Sequence, residues 1–458
     1  MITPMITPMI TPMITPMITP MITSRLLLQQ PRRLLLLRQP LRLPPRPFSS
    51  IDRAGTYDRA GTGDRARTAS PQAAIAKSLS SSRGSAPALL SIFEAEQARF
   101  SGACFAALLG RLAGLGRRAR ASAKHDARYA ELLAALPQAL DGCSAQEAAN
   151  VAGALAGLGE RRGAEPVLDA IDERADWLVG EGAPRAVAGA AGAFAKLGMD
   201  GPRLLPAIDA QAAWFVGAAG PPEVAGVARA FAELGFDAPG FWACLEGRGE
   251  EFCAQAGPPH ICGAAWALAT AGRAGENSGL LRVLWDGAIE GGGAALGREA
   301  LAQLAQVRLH AEGEGVELRE APGALLLRMR RAVDSADRTG SKFEGRVARH
   351  LADLNVEYAR GPSGALDACS GALDPCFSLR SADGARTAVE CDGPSRYLHR
   401  RLGEEIRETG RTRAKRRLLE RNGWRVINVP WFLERKLEDE KGKGALKQWL
   451  ASELASKA

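Results

Sequence analysis

The stretch VAGAAGAFAKLG at 187–198 decides the fold, because it returns. Close copies read FAALLGRLAGLG at 105–116, AANVAGALAGLG at 148–159, VAGVARAFAELG at 224–235 and ICGAAWALATAG at 261–272. A degenerate copy, EALAQLAQVRLH, occupies 299–310. Their last residues lie 43, 39, 37, 37 and 38 positions apart. A near-constant period in this range is the sequence signature of stacked two-helix units. Within 187–198, Val187, Ala190, Ala191, Phe194 and Leu197 recur at three- and four-residue steps, which puts them on one helix face. Pro184, Pro221 and Pro258 each stand three residues ahead of a copy, where a first helical turn has no use for the missing N–H. Gly159, Gly198, Gly235 and Gly272 close their copies, as glycine does just past a helix C-terminus.

A second helix is expected in each unit, at Glu165–Val179, Pro202–Val216 and Phe241–Gln255. Trp177, Trp214 and Phe252 sit at similar places in them and read as packing residues. Neither helix of a unit can bury its apolar stripe alone, so neighbouring units must stack. The expected array spans 86–312. The abundance of Ala and Gly, with aromatics at 5%, suits small-residue helices packed closely.

A change of pattern follows. Ser341–Leu354 reads as a helix with Phe343, Val347, Leu351 and Leu354 on one face. Cys376–Ser381 and Arg386–Cys391 read as strands joined by a turn at Asp383-Gly384. A strongly basic helix is expected over Thr412–Asn422, a strand over Trp424–Val429 and a last helix over Gly444–Ser456. Together these predict a small α/β domain over 338–458. The net charge is +8, and residues 395–436 alone hold thirteen Lys or Arg against five Glu. A basic patch confined to one segment is what a phosphate-contacting surface requires.

Before the array the chain does not read as fold. Residues 1–20 are five copies of Met-Ile-Thr-Pro. From Met21 the sequence is rich in Arg and Leu, and no acid precedes Asp52. That composition over 1–50 suits a transit peptide, mitochondrial by the Arg46-Pro47-Phe48-Ser49 phrase, with a plastid address as the alternative. The DRAGTY, DRAGTG, DRARTA run opens an expected disordered linker over 51–85. No apolar run approaches the roughly 20 residues that cross a bilayer. The eight cysteines form no C-x-x-C pair, so they read as reduced core thiols and no metal site is expected.

Two resemblances add to this reading. The A-x-x-A-x-A-x-L-G phrase and its period, over about 100–310, resemble the octotricopeptide repeat, which implies RNA binding in chloroplasts or mitochondria; few Lys or Arg on the repeat helices leave protein contact as another use. The phrases AVECDGPSRYL (388–398), TRAKRRLLERNGWRVINVPW (412–431) and KQWL (447–450) resemble the RAP domain in order and spacing, over 387–450. Arg396 departs from that pattern, which commonly has His there.

The RAP resemblance implies a restriction-endonuclease-like fold and an organellar RNA-binding factor acting in RNA processing, stability or translation. Single-stranded organellar RNA is the expected partner, together with ribosomal or processing proteins. The expected RNA contacts are Tyr397, Arg411, Arg413, Lys415, Arg416, Arg417, Arg421 and Trp431. The alternatives are a divalent-metal endoribonuclease and a protein-binding scaffold. For the nuclease the resemblance supplies Glu390, with Asp392 standing where such enzymes have Lys and Lys415 offered as its replacement in space. Arg380 aligns with the usual first-strand Asp, unless Asp374 serves in another register. Mg²⁺ enters only in that alternative; otherwise no cofactor is expected. The bland reading is an ion pair of Glu390 and Asp392 with the basic helix.

Overall fold

The computed structural model describes residues 71–82, 84–290, 296–334, 340–360, 375–380, 384–399 and 406–455. The expected transit segment and Asp374 lie outside them. All described residues fall in one compact unit.

Helices α1 (Pro71–Ser81) and α2 (Ala86–Glu96) lead into the array. Within the linker expected over 51–85, residues 71–81 form α1, in which Ile75 and Leu79 are buried; residues 51–70 lie outside the described residues. The first unit is α3 (Gly102–Gly114), α4 (Arg117–Lys124) and α5 (Ala127–Ala139). The next is α6 (Ala145–Leu158), α7 (Arg161–Glu173) and α8 (Ala175–Glu181). Then come α9 (Pro184–Leu197), α10 (Leu204–Ala210) and α11 (Ala212–Ala218), followed by α12 (Pro221–Leu234), α13 (Pro239–Glu246) and α14 (Gly249–Gln255). The row closes with α15 (Pro258–Ala271), α16 (Ser278–Glu290), α17 (Arg298–Gly313) and α18 (Gly323–Asp334). The sequence pattern had left α18 unassigned.

The six repeated phrases form an inner row, in which α3, α6, α9, α12, α15 and α17 each pack on the next. Prolines open α9, α12 and α15 as expected. The closing glycines are left-handed, with φ of 64° at Gly159, 66° at Gly198 and Gly235, and 83° at Gly272. That conformation suits glycine and turns the last N–H groups back onto the helix, as in the bond from the Phe236 N–H to the Phe231 carbonyl at 2.9 Å.

The outer row corrects the expected single second helices. Each is broken in two, at Arg174, at Gln211 and at Gly247-Arg248. Arg174 and Gln211 have φ near −105° and ψ near +20°, which bends the chain without shifting its apolar phase. The break residues also reach back one unit: Arg174 donates to the Leu140 carbonyl and Arg248 to the Val216 carbonyl. Between units, Asp172 accepts the N–H groups of Arg203 and Leu204, and Asp209 those of Gly240 and Phe241. Each carboxylate thus sits at the start of the next unit's outer helices, where orphan donors need an acceptor.

The C-terminal domain begins with α19 (Lys342–Asp353). Its sheet contains β1 (Ala359–Arg360), β2 (Phe377–Arg380), β3 (Arg386–Asp392) and, after the basic helix α20 (Gly410–Arg421), β4 (Trp424–Pro430). The strand order is β1-β2-β3-β4, antiparallel except for β3 and β4, which α20 links as a parallel pair. Helices α21 (Leu433–Lys441) and α22 (Ala445–Ala455) complete it. One sheet face packs Phe377, Val389 and Val429 against Val347, Leu351, Leu446 and Leu450. The other face receives α20, and its core is shared with the array: Leu309 of α17 packs with Ala388, Leu418, Leu419 and Trp424. Leu398 joins the array's own core.

The seam between array and domain is close. Gly410, the first residue of α20, lies so near α12 that a Cβ there would overlap the Ala232 carbonyl oxygen. Both contacting groups are backbone, so neither can rotate away. Gly410→Ala is expected to cost about 1–3 kcal/mol as overpacking does, although alanine is the better helix former. Amide hydrogen exchange should quicken in α20 and the last turn of α12 and stay unchanged in α3 and α6; unaltered exchange across the seam would disprove the tight fit.

Candidate nucleic-acid interface

The basic helix faces two ways. Arg413, Arg417 and Arg421 recur every fourth residue and share one side, which lies on the C-terminal ends of the inner row. Arg413 donates to the Gly235 carbonyl at the end of α12. Arg417 donates to the Thr270 carbonyl at the end of α15, at 2.6 Å. Arg421 pairs with Glu314, just past α17. Upstream of α20, the His399 backbone N–H donates to the Gly198 carbonyl after α9, at 2.6 Å, and the His399 ring meets Glu165 at 3.2 Å. Arg407 pairs with Asp200 and Arg411 with Glu233.

These partners follow from helix electrostatics. The last carbonyls of a helix lack internal partners and carry partial negative charge, which favours cations there. Three consecutive inner helices, α9, α12 and α15, present such carbonyls to His399, Arg413 and Arg417, and past α17 the Glu314 carboxylate takes the same place for Arg421. Burial lowers the pKa of the Arg413 and Arg417 guanidinium groups, with neighbouring arginines adding to the effect. His310, buried in α17 beside them, is held down to about 3, first by burial and then by the charges of Arg417 and Arg421. The sequence pattern pointed to phosphate for Arg411, Arg413, Arg417 and Arg421; the structure gives each of them a partner within the array. His399, Arg407 and Gly410 did not stand out in the sequence, although a glycine opening a charged helix was a signal of close approach.

The other side of α20 meets the sheet. Residues of β3 alternate between faces, so Ala388, Glu390 and Asp392 point the same way, toward α20. Lys415 reaches Glu390 at 2.6 Å. Arg416 pairs with Glu408 at 2.8 Å, and Glu408 also accepts from Asn428 at 3.3 Å. Asp392 is buried, with Oδ2 accepting no hydrogen bond among the described residues, and Glu390 Oε1 is in the same state. Burial, and then the nearby charge of Glu390, push the Asp392 carboxyl up to about 6.

Glu390, Asp392 and Lys415 therefore do converge. The register of the sheet corrects the rest of the nuclease alignment. Arg380 pairs with Arg386, at the far end of β3, whereas Phe377 pairs with Val389. The residue just before β2, Cys376, is the one whose thiol lies 3.8 Å from Glu390. The Mg²⁺ of the nuclease alternative finds a poor donor set here. An ammonium already holds one of two carboxylates, and no group of three His, Cys, Asp or Glu in metal-holding arrangement occurs among the described residues. The described donors do not form a divalent-cation site.

Two aromatic candidates part company. Tyr397 is buried, with its ring 5.5 Å from Phe432, so it forms a wall rather than a stacking platform. Trp431 is 46% exposed, and it and Leu327 are the large apolar side chains left open among the described residues. Its backbone N–H donates to the Asp392 carbonyl at 2.9 Å, which ties the chain at Trp431 to the end of β3. Trp424 is core.

The model of the RAP domain matches residues 389–448, from β3 through α20, β4 and α21 into α22. This segment is a RAP domain. RAP domains are generally RNA-binding domains. No curated protein matches the chain. The RAP match begins inside β3, so β1 and β2 extend the sheet beyond it and α19 packs on it from outside the match.

Asp392 gives the RAP domain a pH signature. Its folded pKa of about 6 stands above the ordinary 3.8, so ionising it in the fold costs stability. The cost is absent below about pH 4, grows as pH rises toward 6 and is complete above it. Asp392→Asn should therefore stabilise the protein by about 2–3 kcal/mol at pH 7.5 and by nothing near pH 4. Denaturant midpoints across that range test this; a pH-independent difference would refute it.

Proposed function

We propose that the chain is an RNA-binding factor of an organelle, in which the RAP domain contacts single-stranded RNA and the array positions it. The RAP match supports RNA binding. The observation that carries the contact itself is Trp431, an exposed indole whose backbone N–H is bonded to the end of β3, the strand that Lys415 of α20 meets through Glu390, while Arg416 of the same helix meets Glu408. A base can stack on the indole while the two cations meet the adjoining phosphates. Arg413, Arg417 and Arg421 serve the same function indirectly, by holding the RAP domain on the helix ends.

Stacking on one aromatic ring is worth about 1–3 kcal/mol per base, so Trp431→Ala should weaken binding of a single-stranded RNA oligomer by roughly 5- to 100-fold. Leu327→Ala, in α18, provides the matching control and should leave affinity unchanged. Fluorescence anisotropy with a labelled oligomer measures both, and equal affinities for wild type and Trp431→Ala would remove Trp431 from the interface.

The organelle we propose is the mitochondrion, on the Arg-rich, acid-free composition of residues 21–50. The proposed role is in transcript processing, stability or translation. A fluorescent protein fused behind residues 1–85 should enter mitochondria; plastid or cytosolic signal would overturn the address.

A further inference from the structure

A cavity of about 520 Å³ opens where α9 and α12 meet the segment that leads into α20. Four cations line it: Arg161, Lys196 and Arg229 from the array, and Arg411 from the RAP domain. Its one lining acid is Glu233, which Arg411 already neutralises. Two other acids of the seam, Asp200 and Glu165, are held by Arg407 and His399. Arg161 and Lys196 make no ion pair among the described residues. Arg229 has one at 3.9 Å, to a Glu299 that is largely in solvent. The cavity is therefore left with an excess of positive charge that the fold does not consume.

The array backbone is bared at the same place. Gly192 of α9 and Gly226 of α12 line the cavity, and a Cβ on either would meet nothing within 4 Å. A glycine within a helix costs roughly 0.5–1 kcal/mol against alanine. Packing between helices does not account for that cost here, because the space above both residues is open. The open space leaves the helix backbone accessible to a ligand at this place. The volume falls in the range of roughly 300–1,000 Å³ typical of small-molecule sites, enough for nucleotide-sized groups.

We propose that this junction cavity seats phosphodiester-linked nucleotides of the bound single-stranded RNA, with the strand crossing there from the array onto the RAP domain. The inference rests on the RNA-binding reading above and adds where the array takes part in it. Arg161, Lys196 and Arg229 neutralise phosphates. Arg411, stacked 4.8 Å over the Trp266 ring and paired with Glu233, fixes the cavity's far wall.

The experiment measures the affinity of the full chain for a labelled single-stranded RNA oligomer across a salt series. Each lost phosphate contact lowers the slope of log affinity against log salt by about 0.7. The combined variant Arg161→Gln, Lys196→Gln, Arg229→Gln should therefore flatten that slope by about 2 and bind roughly tenfold or more weakly at about 0.1 M salt. Gly226→Leu sets its Cβ where no protein atom lies within 4 Å and adds an isobutyl group at the cavity lining. It should keep or raise the thermal midpoint and still weaken RNA binding about tenfold, as blocked access but not misfolding would. Adenosine monophosphate is titrated in parallel. If both variants bind the oligomer like wild type, with the same slope, the inference is overturned while the RNA-binding reading stands. The same holds if Gly226→Leu loses only the mononucleotide. A wild-type chain that binds no oligomer overturns the RNA-binding reading, and this inference with it.

Discussion

The unsatisfied carbonyl ends of the inner helices fix the position of everything that follows the array. Four of the six inner helices, α6, α9, α12 and α15, end at a left-handed glycine, and their C-terminal ends lie along one edge of the row. Repetition lines these ends up, and their partial charges add to a negative strip. A helix carrying arginine every fourth residue answers that strip. Four residues of rise span about 6 Å, against 8–10 Å between packed helices, and the long arginine side chains fan out to make up the difference. The apolar contacts around Leu309 and Leu398 then seal a seam that the charges have placed in register.

The same physics explains what the sequence could and could not convey. The period, the opening prolines and the closing glycines each report a local constraint on the backbone, so the inner row was legible. Strands β2, β3 and β4 and helix α20 were legible too, because alternation and amphipathic spacing are local, whereas the two-residue β1 is too short to show a pattern. The breaks at Arg174, Gln211 and Arg248 were hidden, since a one-residue bend leaves the apolar phase intact. The helices α1 and α18 were missed for a different reason: each buries only a few apolar residues in a stretch whose composition reads as connecting chain.

The basic segment was legible as charge and not as partner. A row of helix carbonyls and a phosphate backbone both present oxygen with negative potential, and arginine suits either. Composition therefore cannot distinguish a helix that grips the protein's own array from one that grips RNA. Register raised a similar problem at the carboxylates. The alignment of Arg380 with a metal-binding position rested on counting along one strand, and antiparallel pairing moves that residue to the opposite end of the sheet. Glu390, Asp392 and Lys415 met because two of them are i, i+2 on one strand and the third is on the helix covering that face.

Docking also changes what the excess charge means. In isolation, residues 395–436 would present thirteen cations to any polyanion. With Arg407, Arg411, Arg413, Arg417 and Arg421 committed to the array, two places are left for a ligand: the sheet side of α20, where Lys415 and Arg416 are paired with Glu390 and Glu408, and the seam, where Arg161, Lys196 and Arg229 leave an excess of positive charge. Neither place exists in the RAP segment or in the array alone in the form a ligand would meet. The first keeps its geometry because the array immobilises α20; the second is built from both parts. Anything that loosens the helix-end contacts should thus alter both surfaces together, and this ties the stability of the seam to recognition.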